Sequence, residues 1–255
     1  EIGSGLVGSE MCIRDRCQKH TWEINMLGRR VMPIMHEISH LPGGHKPLNF
    51  VHKLADGSTR HVQTYAGPIE IYGDKLMLCI VHDITEQKRL EEQLEHAAHH
   101  DAMTGLLNRR QFYHITEPGQ MQHLAIAQDY SLLLIDTDRF KHINDLYGHS
   151  KGDEVLCALA RTLESCARKG DLVFRWGGEE FVLLLPRTPL DTALSLAETI
   201  RVSVAKVSIS GLPRFTVSIG VAHHEGNESI EELFKRVDDA LYRAKNDGRN
   251  RVLAA

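Results

Sequence analysis

The chain has 255 residues, of which 42% are hydrophobic and 25% are charged, and its formal net charge is -4. This length predicts one large or two ordinary domains, and the composition is typical of a globular protein. The small negative charge argues against a nucleic-acid-binding protein, and no apolar run approaches the roughly 18 residues of a membrane helix. The five cysteines form no CxxC pair, which favours reduced thiols and a cytoplasmic protein, with membrane tethering through a missing N-terminal region as the alternative.

Residues 1–16 are similar to a translated sequencing adapter, so we treat them as a non-native segment and expect the natural chain to begin upstream of Cys17. Further along, His36-Glu37-Ile38-Ser39-His40 matches the HExxH motif, in which two histidines on one helix face bind zinc. The chain contains 16 histidines, and Pro42 ends any helix soon afterwards. We therefore favour a chance match and keep a zinc hydrolase as a remote alternative.

Three strands are predicted at residues 48–55, 60–71 and 75–84. Asp56-Gly57 and Gly73-Asp74 form the turns between them. The stretches FVHKLADGSTR (50–60) and CIVHDITE (79–86) are similar to the C-terminal part of a PAS sensory domain. This resemblance implies a partial PAS-like antiparallel sheet over residues 17–85, without the first strands of that family, and a sensory role in regulation.

A helix is predicted at residues 87–98, with Thr85 as its N-cap. Leu90, Leu94 and Ala97 form one apolar stripe, and charged residues fill the opposite face. The pattern fits a helical linker at residues 86–100 that connects two domains as a short coiled coil. It fits equally a helix that packs on its own domain.

From residue 101 onward, predicted helices and strands alternate. The predicted helices are 108–128, broken at Pro118, then 139–147, 151–168, 189–207 and 229–246. The predicted strands are 130–137, 172–174, 181–185, 214–222 and 251–253. This order predicts an α+β fold with a central sheet and helices on its faces.

Two acidic clusters carry the chemistry of this second half. In the first, Gly177 and Gly178 precede Glu179 and Glu180 between two apolar runs, which predicts a hairpin with Gly177-Gly178 as its turn. In the second, Asp136-Thr137-Asp138 ends a predicted strand, where a sheet meets its ligand crevice. Carboxylates from neighbouring strands suit Mg²⁺, which prefers few protein ligands plus substrate phosphates. The alternative for the hairpin is a solvated turn with surface acids.

Six spaced motifs follow one another in this half of the chain. They are DAMTGLLNRR (101–110), DTDRFKHIND (136–145), GHSKGD (148–153), GGEEF (177–181), SIGVA (218–222) and ALYRAKNDGRN (240–250). Residues 101–254 thereby resemble the GGDEF family of diguanylate cyclases. The resemblance implies that residues 101–255 form a GGDEF domain, with a mainly antiparallel central sheet like that of nucleotide cyclases and polymerase palms.

The resemblance also implies a role for each matching position. GTP is the implied substrate, and Mg²⁺ or Mn²⁺, two per active site, is the implied cofactor. The implied metal ligands are Asp136, Thr137 through its carbonyl, Glu179 and Glu180; the catalytic residues are Glu179, Glu180 and Lys141; the GTP-binding residues are Asn144, His149, Asp153, Gly177, Gly178, Lys245 and Arg249. Asn144 and Asp153 would bind the guanine edge, and the basic residues would bind phosphate oxygens. For His149, a structural role is the alternative.

In this family two domains face each other, and each GTP attacks the other to give cyclic di-GMP. The resemblance therefore implies a homodimer formed through the linker helix and the GGDEF domains. Arg168 and Asp171 match the RxxD site at which the product inhibits these enzymes. The alternative for that pair is a helix C-terminus, with Arg168 near the last carbonyls of the helix.

A signalling enzyme is the function that these motifs favour, because the metal, base and phosphate positions are all present. Three alternatives stay open. They are a catalytically silent GGDEF-type receptor for GTP or cyclic di-GMP, the zinc hydrolase, and a cyclase that acts on one GTP within a single site.

Overall fold

The computed structural model describes residues 20–38, 47–54, 56–117, 129–226 and 228–255. The chain divides between Leu94 and Glu95 into two compact units. Within the described ranges, no helix combines the length and apolar character needed to cross a membrane.

The first unit contains a small antiparallel sheet. Its elements are α1 (Thr21–Ile24), a 3₁₀ turn (Gly28–Arg30), α2 (Val31–Ile38), β1 (Leu48–Lys53), β2 (Thr59–Ile71) and β3 (Asp74–Asp83). The strands pair in the order β1-β2-β3, and Val31, Phe50 and Val62 form a small buried core. The three predicted strands are confirmed, while their PAS-like nature stays a prediction. His36 lies on α2, whereas the second histidine of the HExxH motif lies outside the described residues.

The helix predicted at residues 87–98 is present as α3 (Thr85–His99), but Thr85 is its first residue and not its N-cap, and its role as a linker stays a prediction. The helix begins at Thr85, whose N–H donates to the Asp83 carboxylate at 2.9 Å. The Thr85 hydroxyl instead accepts a hydrogen bond from the His61 N–H at 2.9 Å. Asp83 therefore supplies the acceptor that the sequence analysis assigned to Thr85. Leu90 and Leu94 are exposed on this helix.

The second unit is a six-stranded sheet with helices on both faces. Its helices are α4 (Arg109–Thr116), α5 (Phe140–Tyr147), α6 (His149–Cys166), α7 (Leu190–Lys206) and α8 (Ile230–Asn246). Its strands are β4 (Leu107–Asn108), β5 (Tyr130–Thr137), β6 (Leu172–Gly177), β7 (Glu180–Pro186), β8 (Val217–His223) and β9 (Val252–Ala254). The strand order is β4-β6-β7-β5-β8-β9; the β4–β6 and β8–β9 pairs are parallel and the other three are antiparallel. The predicted α+β fold with a mainly antiparallel sheet is confirmed.

The helix predicted at 108–128 is shorter in the structure. The side chain of Asn108 caps α4 by accepting a hydrogen bond from the Gln111 N–H at 2.9 Å. The helix ends at Thr116, and residues 118–128 lie outside the described residues. The helix predicted at 151–168 begins two residues earlier, at His149, and ends at Cys166.

The central strand β5 is buried over its whole length. Successive side chains point to opposite faces of a sheet. Leu133 and Ile135 therefore pack in one core with α6 and α7, and Leu132 and Leu134 pack in the other with α4 and α8. Because both faces are covered, the register of β5 is fixed, and so is the position of the carboxylate at its end.

Gly220 lets α8 lie close against β8. A Cβ atom at this position would be 2.2 Å from the Val237 carbonyl oxygen and 2.6 Å from the Leu241 nitrogen, both backbone atoms of α8. No larger residue fits without moving the helix. This close packing brings the C-terminal turn of α8 to the end of β5.

Candidate functional site

The glycine-rich segment forms a hairpin, but its turn lies one residue further along than predicted. Strand β6 runs to Gly177, which pairs with Glu180, so the turn residues are Gly178 and Glu179. The predicted Gly177-Gly178 turn is therefore wrong by one residue. The cause is an irregular register in which Trp176 is an extra residue on β6. The shift places Glu179 at the tip and Glu180 at the start of β7.

Arg175 fixes this tip, and the sequence analysis missed it as a site residue. Its Nη1 donates to the two carboxylate oxygens of Asp101 at 2.9 and 3.1 Å, and its Nη2 donates to the Gly178 carbonyl at 3.0 Å. The Asp101 carboxylate also accepts from the Thr104 N–H and hydroxyl. The only sequence signal is an arginine beside the glycines, because Asp101 lies 74 residues away along the chain.

Asp136 and Glu180 stand directly opposite each other in the β5–β7 pairing. Asp136 is 6% exposed, and Lys245 of α8 donates from Nζ to its Oδ2 at 2.7 Å. Burial raises the pKa of Asp136 to about 6; Lys245 opposes this rise, and the charges of Glu179 and Glu180 add to it. Burial is also the largest cause that raises the pKa of Glu180. Three carboxylates therefore lie close to the Lys245 ammonium group.

Thr137 ties the hairpin to the end of β5. Its N–H and its hydroxyl both donate to the Glu179 carbonyl, at 3.3 and 3.4 Å. Thr137 is almost fully buried. The backbone of the hairpin tip is thus held beside Asp136 by hydrogen bonds that need no metal ion.

The donor set suits a small divalent cation. A cation would relieve the repulsion between the buried Asp136 carboxylate and its two glutamate neighbours. Over the described ranges, no group of three or more His, Cys, Asp or Glu side chains has the geometry of a metal cluster. A cation here would need oxygen ligands from the backbone or substrate as well, which is usual for Mg²⁺.

Asn144 and Asp153 lie where α5 meets α6. The Asn144 Oδ1 atom is buried and has no hydrogen-bond partner among the described residues. It lies so close to Gly152 that a Cβ there would be 1.9 Å away. A buried acceptor without a partner lowers the stability of the fold unless a ligand donates a hydrogen bond to it. Asp153 is exposed beside it, and so is His149 at the start of α6.

The five basic and glycine positions predicted to lie at the phosphates differ in their surroundings. Lys245 is paired with Asp136, an interaction that the sequence analysis did not predict. Lys141 and Arg249 are exposed. Gly178 has a φ of 51°, which glycine adopts without the steric cost that other residues meet. Binding of phosphate by these residues stays a prediction.

Arg168 and Asp171 bind each other. The Arg168 N–H donates to Asp171 Oδ2 at 2.9 Å and its Nε donates to Oδ1 at 3.1 Å, while Nη2 donates to the Pro186 carbonyl and the Thr188 hydroxyl. The guanidinium contacts Pro186, the last residue of β7, and Thr188 rather than the last carbonyls of α6, and an inhibitory role for the pair stays a prediction. A cavity of about 380 Å³ adjoins the pair, and His100, Leu107 and Glu164 also line it.

The chain is similar to known proteins over most of its length. Residues 98–251 match the family described as "Diguanylate cyclase, GGDEF domain". Over 239 residues, 94% of this chain, the sequence is 99% identical to diguanylate cyclase DgcM of Escherichia coli O157:H7. The chain spans 58% of the length of that relative. It is also 40% identical over 178 residues, 66% of this chain and 51% of the relative, to diguanylate cyclase VdcA of Vibrio cholerae.

A solved structure gives the same result for the fold. The coiled coil and GGDEF domain of DgcB from Caulobacter crescentus, crystallised in complex with c-di-GMP, is similar with a TM-score of 0.61 and 32% identity. The match covers 67% of this chain and 94% of that one. The chain therefore belongs to the GGDEF family of diguanylate cyclases.

Proposed function

We propose that this protein condenses two GTP molecules into cyclic di-GMP. In each half of the reaction, the 3′-oxygen of one GTP forms a bond to the α-phosphorus of the other. The bond from that phosphorus to the bridging oxygen breaks, pyrophosphate leaves, and the 3′-hydroxyl loses its proton. The near identity to a protein described as a diguanylate cyclase supports this activity.

The observation that carries the proposal is the Asp136–Glu180 pair at the end of β5, with Lys245 against it. A buried and a half-buried carboxylate, both with raised pKa values, are unfavourable for folding alone, so this pair is a candidate for ligand binding. Asp136, Glu179, Glu180 and the Thr137 carbonyl would hold two Mg²⁺ or Mn²⁺ ions, which would neutralise triphosphate charge and lower the pKa of the attacking 3′-hydroxyl.

The remaining residues would bind and orient GTP. The unpartnered Asn144 Oδ1 would accept a hydrogen bond from guanine, and Asp153 would accept a second one, since guanine presents the N1 and N2 donors that adenine lacks. The exposed side chains of Lys141 and Arg249 would bind phosphate oxygens, and Gly177 and Gly178 would let the phosphates approach the backbone. His149 would contact the base or the ribose, and a structural role is the alternative.

Each domain would hold one GTP, so a homodimer is needed for turnover, and α3 would set the spacing of the two domains. Cyclic di-GMP would bind at Arg168 and Asp171 and inhibit the enzyme. The PAS-like sheet would regulate it, and the cytoplasm, where GTP is abundant, would be its location. These parts rest on the family resemblance and on the cavity beside Arg168.

The test is to incubate the protein with GTP and Mg²⁺ and to identify the product by mass. Cyclic di-GMP is expected from wild type. Glu179→Gln and Glu180→Gln should each lower the formation of cyclic di-GMP roughly 100-fold or more, because each removes a carboxylate from the proposed metal site. Glu231→Gln, which changes an exposed carboxylate in the first turn of α8, is the matched control and should retain full activity.

The other functions give different results in the same assay. A product that contains a single guanosine would show a cyclase acting on one GTP. A dimeric wild-type sample that binds cyclic di-GMP but turns over no GTP would show a receptor. Either result would contradict the proposed activity.

A further inference from the structure

The chain leaves α8 through a turn with an unusual backbone. Gly248, Arg249 and Asn250 follow one another with φ angles of 115°, 63° and 47°. Glycine adopts such angles readily, but arginine and asparagine do so only at a steric cost. Two such residues in succession persist when surrounding contacts hold them.

The first of these contacts is to Asp138, just beyond β5. The Asn250 N–H donates to Asp138 Oδ2 at 3.0 Å. The same carboxylate accepts from the Thr216 hydroxyl at 2.6 Å and from the Ser218 hydroxyl at 2.6 Å, and Asp138 is 7% exposed. With three donors, Asp138 is a fixed anchor for the turn.

The second contact comes from α7. Arg201 Nη1 donates to Asn250 Oδ1 at 2.7 Å. Its Nε and Nη2 donate to the Glu198 carboxylate at 2.9 and 2.6 Å, so the guanidinium has a fixed orientation. The Arg201 side chain is 20% exposed. Asn250 is thus held through its backbone by the end of β5 and through its side chain by α7.

Arg249 has a fixed backbone and an open side chain. Its N–H donates to the Ala244 carbonyl at 3.0 Å, and its own carbonyl accepts from Arg251 Nε at 3.2 Å. Within the part of the chain that the structure describes, no hydrogen bond or ion pair involves its guanidinium, and the residue is exposed. The turn therefore presents one cation to solvent from a backbone that other residues hold.

We propose that Arg201, acting through Asn250, is a positioning residue that holds Arg249 ready to bind the phosphates of GTP. This inference rests on the proposed function, in which Arg249 is the phosphate-binding residue. Its physical basis is preorganisation: a turn held in its binding conformation does not have to be ordered when the ligand arrives. Asp138, which lies two residues after Asp136, holds the same turn through the Asn250 N–H.

The test is a double-mutant cycle with Arg201→Ala, Arg249→Ala and the double variant. The measurements are KM and kcat for GTP, and the Kd of a non-hydrolysable GTP analogue by calorimetry. Arg201→Ala should raise KM and Kd about 3- to 10-fold, the effect of one hydrogen bond, with little change in kcat. In the Arg249→Ala background it should have almost no further effect, because it acts through Arg249.

Two further variants control for damage to α7. Thr199→Ala removes an exposed hydroxyl that binds only the Ser195 carbonyl of the same helix, and it should leave KM and Kd unchanged. Arg201→Lys keeps a donor for Asn250 and should restore part of the affinity. Thermal unfolding of each variant shows whether a change in affinity merely follows a loss of stability.

The outcomes separate this inference from the proposed function. If Arg249→Ala weakens GTP binding but Arg201→Ala does not, the positioning role is wrong and the proposed function stands. The same conclusion follows if Arg201→Ala weakens binding equally in the wild-type and Arg249→Ala backgrounds. If Arg249→Ala binds the analogue as wild type does, Arg249 does not bind phosphate. That result contradicts both this inference and that part of the proposed function.

Discussion

The surroundings of Asp136 disfavour the ionised form of its carboxyl group. Burial raises its pKa to about 6 from an ordinary value of 3.8, although Lys245 donates to it at 2.7 Å. The ammonium group thus offsets only part of the cost of burial, and the negative charges of Glu179 and Glu180 add a smaller cost. The repulsion between these three carboxylates would change when a cation and a triphosphate bind.

This charge arrangement predicts a pH dependence of stability. A carboxyl whose pKa is raised in the folded state contributes stability below pH 3.8 and loses it as pH rises through about 6. Asp136→Asn should therefore become more stable relative to wild type between pH 5 and pH 7.5, by about 1 to 2 kcal/mol in the absence of divalent metal. Urea unfolding of both proteins at the two pH values measures this, and a difference that does not change with pH would contradict it.

At the scale of elements, Arg175 joins the residues before β4 to the hairpin tip. The Asp101–Arg175 ion pair has side chains that are only 24% and 12% exposed. Removing one partner of a pair that is largely shielded from water leaves the other without its full set of hydrogen bonds. The hairpin tip would then lose the contact that fixes Gly178 and, with it, the position of Glu179.

Asp101→Asn should therefore destabilise the protein by about 1 to 3 kcal/mol and lower kcat for GTP more than it raises KM. Steady-state kinetics and urea unfolding are the two measurements. Asp191→Asn, at the start of α7, changes an exposed acid and serves as the control. Loss of stability with unchanged kcat would show that the ion pair supports the fold and has no role in the site.

The packing of α8 on β8 gives a second prediction at this scale. Gly220→Ala would push a methyl group against the Val237 carbonyl, which lies 2.2 Å from the added atom, so α8 must shift. We expect a loss of about 1 to 3 kcal/mol in stability, together with weaker GTP binding as Lys245 moves from Asp136. Gly67→Ala is the matched control, because that strand glycine has open space around it. Equal stability of the two variants would contradict the packing argument.

The sequence predicts some of these features better than others, for physical reasons. The sequence predicts strand β5 over its whole length because its apolar run is continuous and ends at an acid. The hairpin turn was misplaced by one residue, because two adjacent glycines do not reveal that Trp176 is extra in the register. The Lys245–Asp136 and Arg201–Asn250 contacts depend on how the helices pack over the sheet. The local sequence does not indicate that packing.

At the scale of the whole molecule, the proposed regulation by product would depend on a guanidinium group that already has partners within the chain. The Arg168 guanidinium donates to Asp171, to the Pro186 carbonyl and to the Thr188 hydroxyl. Its side chain is 55% exposed, whereas that of Asp171 is 1% exposed. Binding of cyclic di-GMP in the adjoining cavity would therefore compete with the bonds that hold Arg168 within the chain.

This competition predicts opposite effects for two substitutions. Arg168→Ala removes the cation and should weaken cyclic di-GMP binding at least about 10-fold, relieving product inhibition. Thr188→Val keeps the shape of a buried side chain but removes one acceptor from Arg168, so it should tighten binding about 2- to 3-fold. Calorimetry with cyclic di-GMP measures both, and GTP turnover at rising product concentration shows the effect on activity. If both variants weaken binding equally, Thr188 is a structural support of the cavity; if neither changes it, the product binds elsewhere.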